Sequence, residues 1–248
     1  MAEPFTVRLT FYGDVGFFLK RGAGTVIQRQ LRERTAVKDV IESCGVPHPE
    51  VDLILIENEP VTFGYVLEQD TDVSVYPVGL DWVTVFPENH FQTPHLKQFI
   101  ADCHLGKLVR NLRLLGIDVD YNPQGEDRQL LEAMRSDNRA LLTRDRRLLM
   151  HAVVRHGCYL RSQDPLEQTT EVLRRFDLLT SLAPFTRCLR CNASLEPVEK
   201  AKILHQLEPL TKIYYEQFHR CIGCGQLYWP GSHFKKLEAR IFKLRQQA

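Results

Sequence analysis

The sequence predicts a three-module chain: an α+β roll, then an α/β parallel-sheet domain, then a small module built on four cysteines. Three observations carry this. Four strand-like apolar stretches before residue 80 flank one helical stripe. After residue 96, short apolar strands alternate with helical stripes, the pattern of βαβ units and a parallel sheet. Beyond residue 186, two Cys-x-x-Cys pairs stand 29 residues apart. The boundaries read from the sequence are 1–85 for the roll, 86–96 for a linker, 97–185 for the parallel-sheet domain and 186–248 for the cysteine module.

In the first module Phe5, Val7, Leu9 and Phe11 alternate with Thr6, Arg8, Thr10 and Tyr12, which predicts a half-buried strand. A second strand is expected around 25–31. Thr35 is placed to cap a helix whose Val37, Val40, Ile41 and Cys44 share one face, with Gly45 as its stop. Leu53–Ile56 reads as a buried strand, Asn58-Glu59-Pro60 as a turn and Asp72–Pro77 as a last strand. The order ββαββ resembles the ubiquitin-like β-grasp fold of small sulfur carriers.

Pro87 to Pro94 reads as the linker. Phe99-Ile100-Ala101 is then a strand ending in Asp102, and Leu105, Leu108, Val109 and Leu112 form a helical stripe closed by Gly116. Ile117–Tyr121 is a second strand, Leu130, Leu131 and Met134 mark a second helix, and Ala140–Thr143 is a third strand ending at Arg144-Asp145. Leu148 and Leu149 begin another helix, and Cys158-Tyr159-Leu160 is a fourth strand.

Charge divides the chain unevenly. Residues 1–90 hold 7 Lys/Arg and 14 Asp/Glu, whereas residues 91–248 hold 25 and 17. This contrast suits an acidic module with its own partner and a basic part that meets nucleic acid, although uneven surface charge alone also produces it. There is no basic segment before an apolar stretch at the N-terminus and no apolar run of membrane-spanning length. A cytoplasmic protein without membrane contact is expected.

Of seven cysteines, Cys44, Cys103 and Cys158 stand alone and read as small core residues. Cys188, Cys191, Cys221 and Cys224 form the two pairs. Each pair on a tight turn aims two thiolates at one point, and two such turns make the tetrahedral shell that Zn²⁺ prefers. Asn192, Gly223 and Gly225 suit those turns. One structural zinc is therefore expected, with a redox pair as the rival reading.

Three carboxylates stand where chemistry is usually found in open parallel sheets, beyond the carboxyl ends of the strands. Asp102 follows the first strand, Asp127 opens the helix after the second, and Asp145 follows the third. Crowded together they would repel, and a hard divalent cation such as Mg²⁺ or Mn²⁺ would remove the conflict. Each also stands where a helix cap would, so spacing leaves the two readings level.

Phe99–Leu108 followed by Leu112-Arg113-Leu114-Leu115-Gly116, then Leu142-Thr143-Arg144-Asp145, resemble two motifs of the Mut-seven C-terminal ribonuclease domain. Arg187–Asn192, Cys221–Gly225 and Tyr228–His233 match its zinc-binding end. That family is a PIN-like nuclease fold fused to a zinc ribbon, and the resemblance covers residues 97–245. Bacterial members of this kind often carry an N-terminal ubiquitin-like domain. The resemblance implies a metal-dependent ribonuclease in which Asp102, Asp127 and Asp145 hold Mg²⁺ or Mn²⁺ and Arg144 sits beside the scissile phosphate. Where many PIN nucleases have another acidic residue, Arg146 and Arg147 follow Asp145 here. Asp118 or Asp120 could stand in.

An endoribonuclease is the leading reading, with RNA, and through it the ribosome or tRNA, as partners. The alternatives are a non-catalytic RNA- or ribosome-binding factor and an adaptor acting through the β-grasp domain with an unidentified protein. Sulfur transfer is rejected, because no free Gly-Gly end exists at residues 77–82. Trp229 and His233 are candidates for stacking on unpaired bases, against the alternative that they form the small core beside the zinc.

Overall fold

A computed structural model of the chain describes residues 3–20, 24–79, 86–93, 96–136, 138–231, 238–239, 241–243 and 245–246. Strand β1 (Phe5–Phe11) buries Val7, Leu9 and Phe11, and β2 (Val26–Leu31) runs antiparallel to it. After β3 (Thr35–Ala36) comes helix α1 (Val37–Ser43), which buries Val37, Val40 and Ile41. Gly45 ends this segment at φ +96, a left-handed conformation that glycine adopts without a Cβ clash. Thr35 does not cap α1. It pairs with Leu67 in β3, and the backbone N–H groups of Val37 and Lys38 donate instead to the carbonyls of Tyr65 and Phe63. Two loop carbonyls take the place of a side-chain cap.

Strand β4 (Val51–Ile56) is buried along its whole length and turns into β5 (Glu59–Pro60) through Glu57 and Asn58, both at positive φ, as a tight hairpin requires. Strands β6 (Val66–Leu67) and β7 (Thr71–Pro77) follow. The five-stranded sheet has the order β2-β1-β7-β4-β5, with β1 and β7 parallel in its centre and antiparallel pairs outside. This is the β-grasp arrangement. Residues 86–92, read as linker, are strapped to β4 by one side chain. The Asp52 carboxylate accepts from His90 Nδ1 at 2.7 Å and from the Gln92 N–H at 2.9 Å, while Phe91 stacks on Phe63 at 4.1 Å.

Further along lie β8 (Gln98–Ala101), a 3-10 turn at Cys103–Leu105, α2 (Gly106–Leu114), β9 (Asp118–Tyr121) and α3 (Asp127–Ser136). Then come β10 (Ala140–Thr143), α4 (Arg146–Leu149), β11 (Gly157–Tyr159) and α5 (Pro165–Arg175). Strand β8 pairs with β9 and β10 with β11, both in parallel, which is the α/β pattern that alternating strands and helices predict. Helix α5 was not among the predicted elements, although Asp164 before Pro165 marks its start by accepting from the Leu166 and Glu167 N–H groups. The C-terminal module consists of β12 (Leu195–Val198), α6 (Lys200–Ile203), α7 (Pro209–Tyr214), β13 (Phe218–Cys221) and β14 (Leu227–Tyr228), with β12-β13-β14 antiparallel. Among the described residues no helix is long and apolar enough to cross a membrane.

Two compact units emerge. Met1–Pro94 packs with Asp127–Tyr159, and His95–Glu126 packs with Leu160–Ala248. In the first unit the β-grasp domain grips the segment around α4 and β11. His48 bridges the Glu42 carboxylate and the Val154 carbonyl, and the Tyr159 N–H donates to buried Glu50. In the second unit α2 packs on α5, Phe99 meets Phe176 edge-on at 4.9 Å, and Asn111 donates to the Pro165 carbonyl and Thr169.

Candidate metal centres

The four cysteines of the C-terminal module converge. Their Sγ atoms lie within 4.8 Å of one another, with Cys188 to Cys224 at 3.6 Å and Cys191 to Cys221 at 3.4 Å. A tetrahedron with Zn–S bonds of ~2.3 Å has edges of about 3.8 Å, so the spacing fits a zinc ribbon. Two copies of one turn build it. Asn192 at φ 70 and Gly225 at φ 72 follow the paired cysteines, and their N–H groups return to the carbonyls of Cys188 and Cys221. The turns also aim backbone N–H groups at sulfur, from Cys191 to Cys188 and from Gly223 and Cys224 to Cys221. Gly223 is required for room, because a Cβ there would lie 2.9 Å from Ala193 Cβ.

Tyr228, the first residue of the stretch that resembles a zinc-binding end, touches the cysteine site. Its hydroxyl lies 3.2 Å from Cys188 Sγ and accepts from the Leu189 N–H at 3.0 Å, so its proton is directed to the sulfur. Burial pushes the Cys188 thiol up, but hydrogen bonds from Tyr228 and from the backbone of Cys191 and Arg190 outweigh it and lower the thiol to about 6. A thiol so lowered is a ready metal ligand at neutral pH.

The first knuckle is clasped by α2 and β9. Arg113, 4% exposed, donates through Nη1 to the carbonyls of Leu189 and Arg190 and through Nε and Nη2 to the carbonyl of Val119. Burial pulls its guanidinium below arginine's ordinary value, while Asp120 and the cysteines oppose this. Asn192 accepts from the Val119 N–H and donates to Asp118, which also pairs with Arg187 at 3.2 Å. Asp118, one of the two possible stand-in carboxylates, thus contacts the ribbon. The available signal was a charge inside the apolar run Leu112-Arg113-Leu114-Leu115, since buried charges are almost always partnered.

The predicted acidic residues stand as follows. Asp102, 9% exposed, lies at the carboxyl end of β8 and precedes the 3-10 turn without capping it through its side chain. Its carboxylate gathers with Cys103 and His104 within 4.8 Å. Asp127 is the exposed first residue of α3. Asp145 is exposed and does cap α4, accepting from the N–H of Arg147 at 2.7 Å and of Leu148 at 3.3 Å. Arg144 is exposed between β10 and Asp145. Asp102 belongs to the second unit, and Asp127, Arg144 and Asp145 belong to the first. Trp229 is 38% exposed, with its ring tilted against Phe218 at 6.2 Å, whereas His233 lies outside the described residues.

No curated protein and no solved structure matches the chain. The family model for the Mut7-C ubiquitin domain matches residues 5–82, a range that contains the strands of the β-grasp sheet. The model for the Mut7-C RNAse domain matches residues 97–241, from β8 through the zinc ribbon, and the chain therefore belongs to the Mut7-C RNAse domain family, with a Mut7-C ubiquitin domain at its N-terminus.

Proposed function

We propose that the chain is a metal-dependent endoribonuclease that hydrolyses RNA phosphodiester bonds with Asp102, Asp127 and Asp145 as acidic ligands and Arg144 beside the scissile phosphate. The carrying observation is that the RNAse-domain match begins at the strand whose carboxyl end bears buried Asp102. The donor set suits the ion, since carboxylate oxygens prefer hard divalent cations. Bound there, Mg²⁺ or Mn²⁺ would supply Lewis acidity toward the phosphodiester and the attacking water.

The chain's own residues have separate tasks. Asp102, held at a strand end and largely withdrawn from solvent, keeps a fixed carboxylate position. Arg144, exposed on the β10–α4 turn, offers a planar fork to phosphate oxygens. Asp145 is oriented by the α4 N–H groups that it caps. The ribbon, with zinc on its four thiolates, is a rigid basic platform for the strand being cut. The test is incubation of purified protein with a pool of cellular RNAs, with and without Mn²⁺, and mapping of the cut ends. Metal-stimulated ends that recur at defined positions are expected, and intact RNA under both conditions would contradict the reading.

One observation favours a second reading, a non-catalytic RNA-binding factor. The Asp145 carboxylate is engaged as a helix cap, and the position after it is an arginine.

A further inference from the structure

Beside the ribbon lies a cavity of about 500 Å³ whose chemistry is unlike the acidic site. It opens between the segment 184–189 and one face of the ribbon sheet, and it lies wholly within the second unit. The antiparallel ladder explains the lining. In β13 and β14, His219 stands opposite Tyr228, so the two share a face, while Phe218 on the other face closes the ribbon's own core with Ile203 and Leu207. His219 and Tyr228 are thereby turned into the cavity.

Two aromatic groups complete it. Phe185 holds φ 62, a left-handed backbone that a large L side chain adopts only when its surroundings impose it. Its N–H is fixed by the Leu114 carbonyl at 3.0 Å. Trp229 stands at the rim over Gly231, where an added Cβ would lie 3.1 Å from the indole Nε1. The glycine lets the ring lie against the backbone. Among the described lining residues the polar side chains include Thr186, Gln217 and His219, none is acidic, and the Arg187 guanidinium is held by the Asn192 carbonyl and by Asp118.

Flat apolar walls with amide and imidazole groups beside them match a planar heterocycle that carries hydrogen-bonding groups on its rim. A purely aliphatic ligand would leave those edge groups without use. The surrounding module decides what brings the heterocycle. Residues 186–248 hold 11 Lys/Arg and 5 Asp/Glu, and zinc on four thiolates lowers that excess by two, leaving about +4. A polyanion is favoured over an apolar peptide.

We infer that this cavity receives an unpaired nucleobase of RNA, stacked between Trp229 and Phe185 and read at its edge by Gln217 and His219. The inference rests on the ribonuclease reading for the presence of RNA, and it names the substrate class as single-stranded. A base within a duplex cannot enter without leaving its stack.

The test measures binding of a labelled single-stranded decaribonucleotide to the full chain, without added divalent metal. An abasic oligomer of equal length and a matched duplex serve as controls. Wild-type protein is expected to prefer the unpaired oligomer roughly tenfold over both. Trp229→Ala removes that preference, Trp229→Phe restores most of it, and His219→Ala weakens binding roughly threefold. Zinc content identifies any variant whose ribbon has failed to fold, and His219→Ala, on the face away from the Phe218 core, then carries the test. Equal affinity for unpaired, abasic and duplex RNA, or unchanged binding in a zinc-replete Trp229→Ala, overturns the inference. So does selective displacement of RNA by an apolar peptide. The two readings fail separately. A chain that binds through Trp229 but never cleaves loses only the catalytic reading, and one that cleaves but does not distinguish abasic RNA loses only the pocket.

Discussion

Arg146 donates from Nη1 to the Phe18 carbonyl at 2.9 Å, and its guanidinium carbon lies 5.1 Å from the centre of the Phe18 ring. Phe17 and Tyr159 surround the same group at 5.4 and 5.6 Å. The residue that follows Asp145 is thus an anchor for the β-grasp domain. Helix α4, which carries the Asp145 cap, is tied to that anchor.

Removal of this anchor has a measurable cost. A charge-assisted hydrogen bond and a partly desolvated cation–π cluster together contribute about 2 kcal/mol. Arg146→Ala should lower unfolding stability by that order in urea, and Arg146→Lys by less, since an ammonium keeps the charge but loses the planar fork. Identical denaturation midpoints for wild type and Arg146→Ala would show that the anchor contributes nothing.

Arg113 is expected to control how long the ribbon keeps its metal. Arg113→Met preserves side-chain volume but leaves the carbonyls of Leu189, Arg190 and Val119 without this donor. The knuckle then loses its outer support, and such support is typically worth 10- to 100-fold in metal affinity. Zinc transfer from the full chain to a colorimetric chelator should be roughly tenfold faster. A rate equal to wild type would show that the clasp does not hold the knuckle.

Gly116 joins α2 to β9 at φ +84, and an added Cβ would lie 2.1 Å from the Ala183 carbonyl oxygen. Strain and backbone clash act together, so Gly116→Ala should cost more than about 2 kcal/mol. Thermal melting of the purified variant checks this, and a melting point within a degree of wild type would rule out the packing described.

The cysteines should hold one zinc per chain. Elemental analysis is expected to give about one equivalent in wild type and less than a third of that in Cys221→Ser, with the ribbon unfolded in the variant. Full zinc retention by Cys221→Ser would overturn the four-thiolate site.

Much of the fold was legible because its periodicities are local. The run Ala140–Thr143 and the alternation of Val7, Leu9 and Phe11 fix strands without knowledge of their partners. The cysteine turns were legible for the same reason, since Cys188–Asn192 carries its own geometry. What escaped depends on residues distant in the chain. Thr35 failed as a cap because the carbonyls of Tyr65 and Phe63 arrive there first. The linker is fastened because Asp52, 38 residues before His90, binds it. The bond from Asn192 to Asp118 spans 74 residues. Arg113 showed only as a charge inside an apolar run, and Tyr228 only as part of the stretch resembling a zinc-binding end; their contacts with Leu189, Arg190 and Cys188 depend on segments distant in the chain.

The central claim is that the hydrolysis of RNA proposed for this chain resides in its acidic residues. The most direct measurement compares metal-stimulated cleavage of RNA by wild type, Asp102→Asn and Asp145→Asn. Both variants should fold and keep their zinc, since asparagine still caps α4 at position 145. Each should lose cleavage by at least a hundredfold, because the carboxylate charge is what holds the ion at the phosphate. Cleavage at the wild-type rate in the Asp102→Asn, Asp145→Asn double variant would contradict the account.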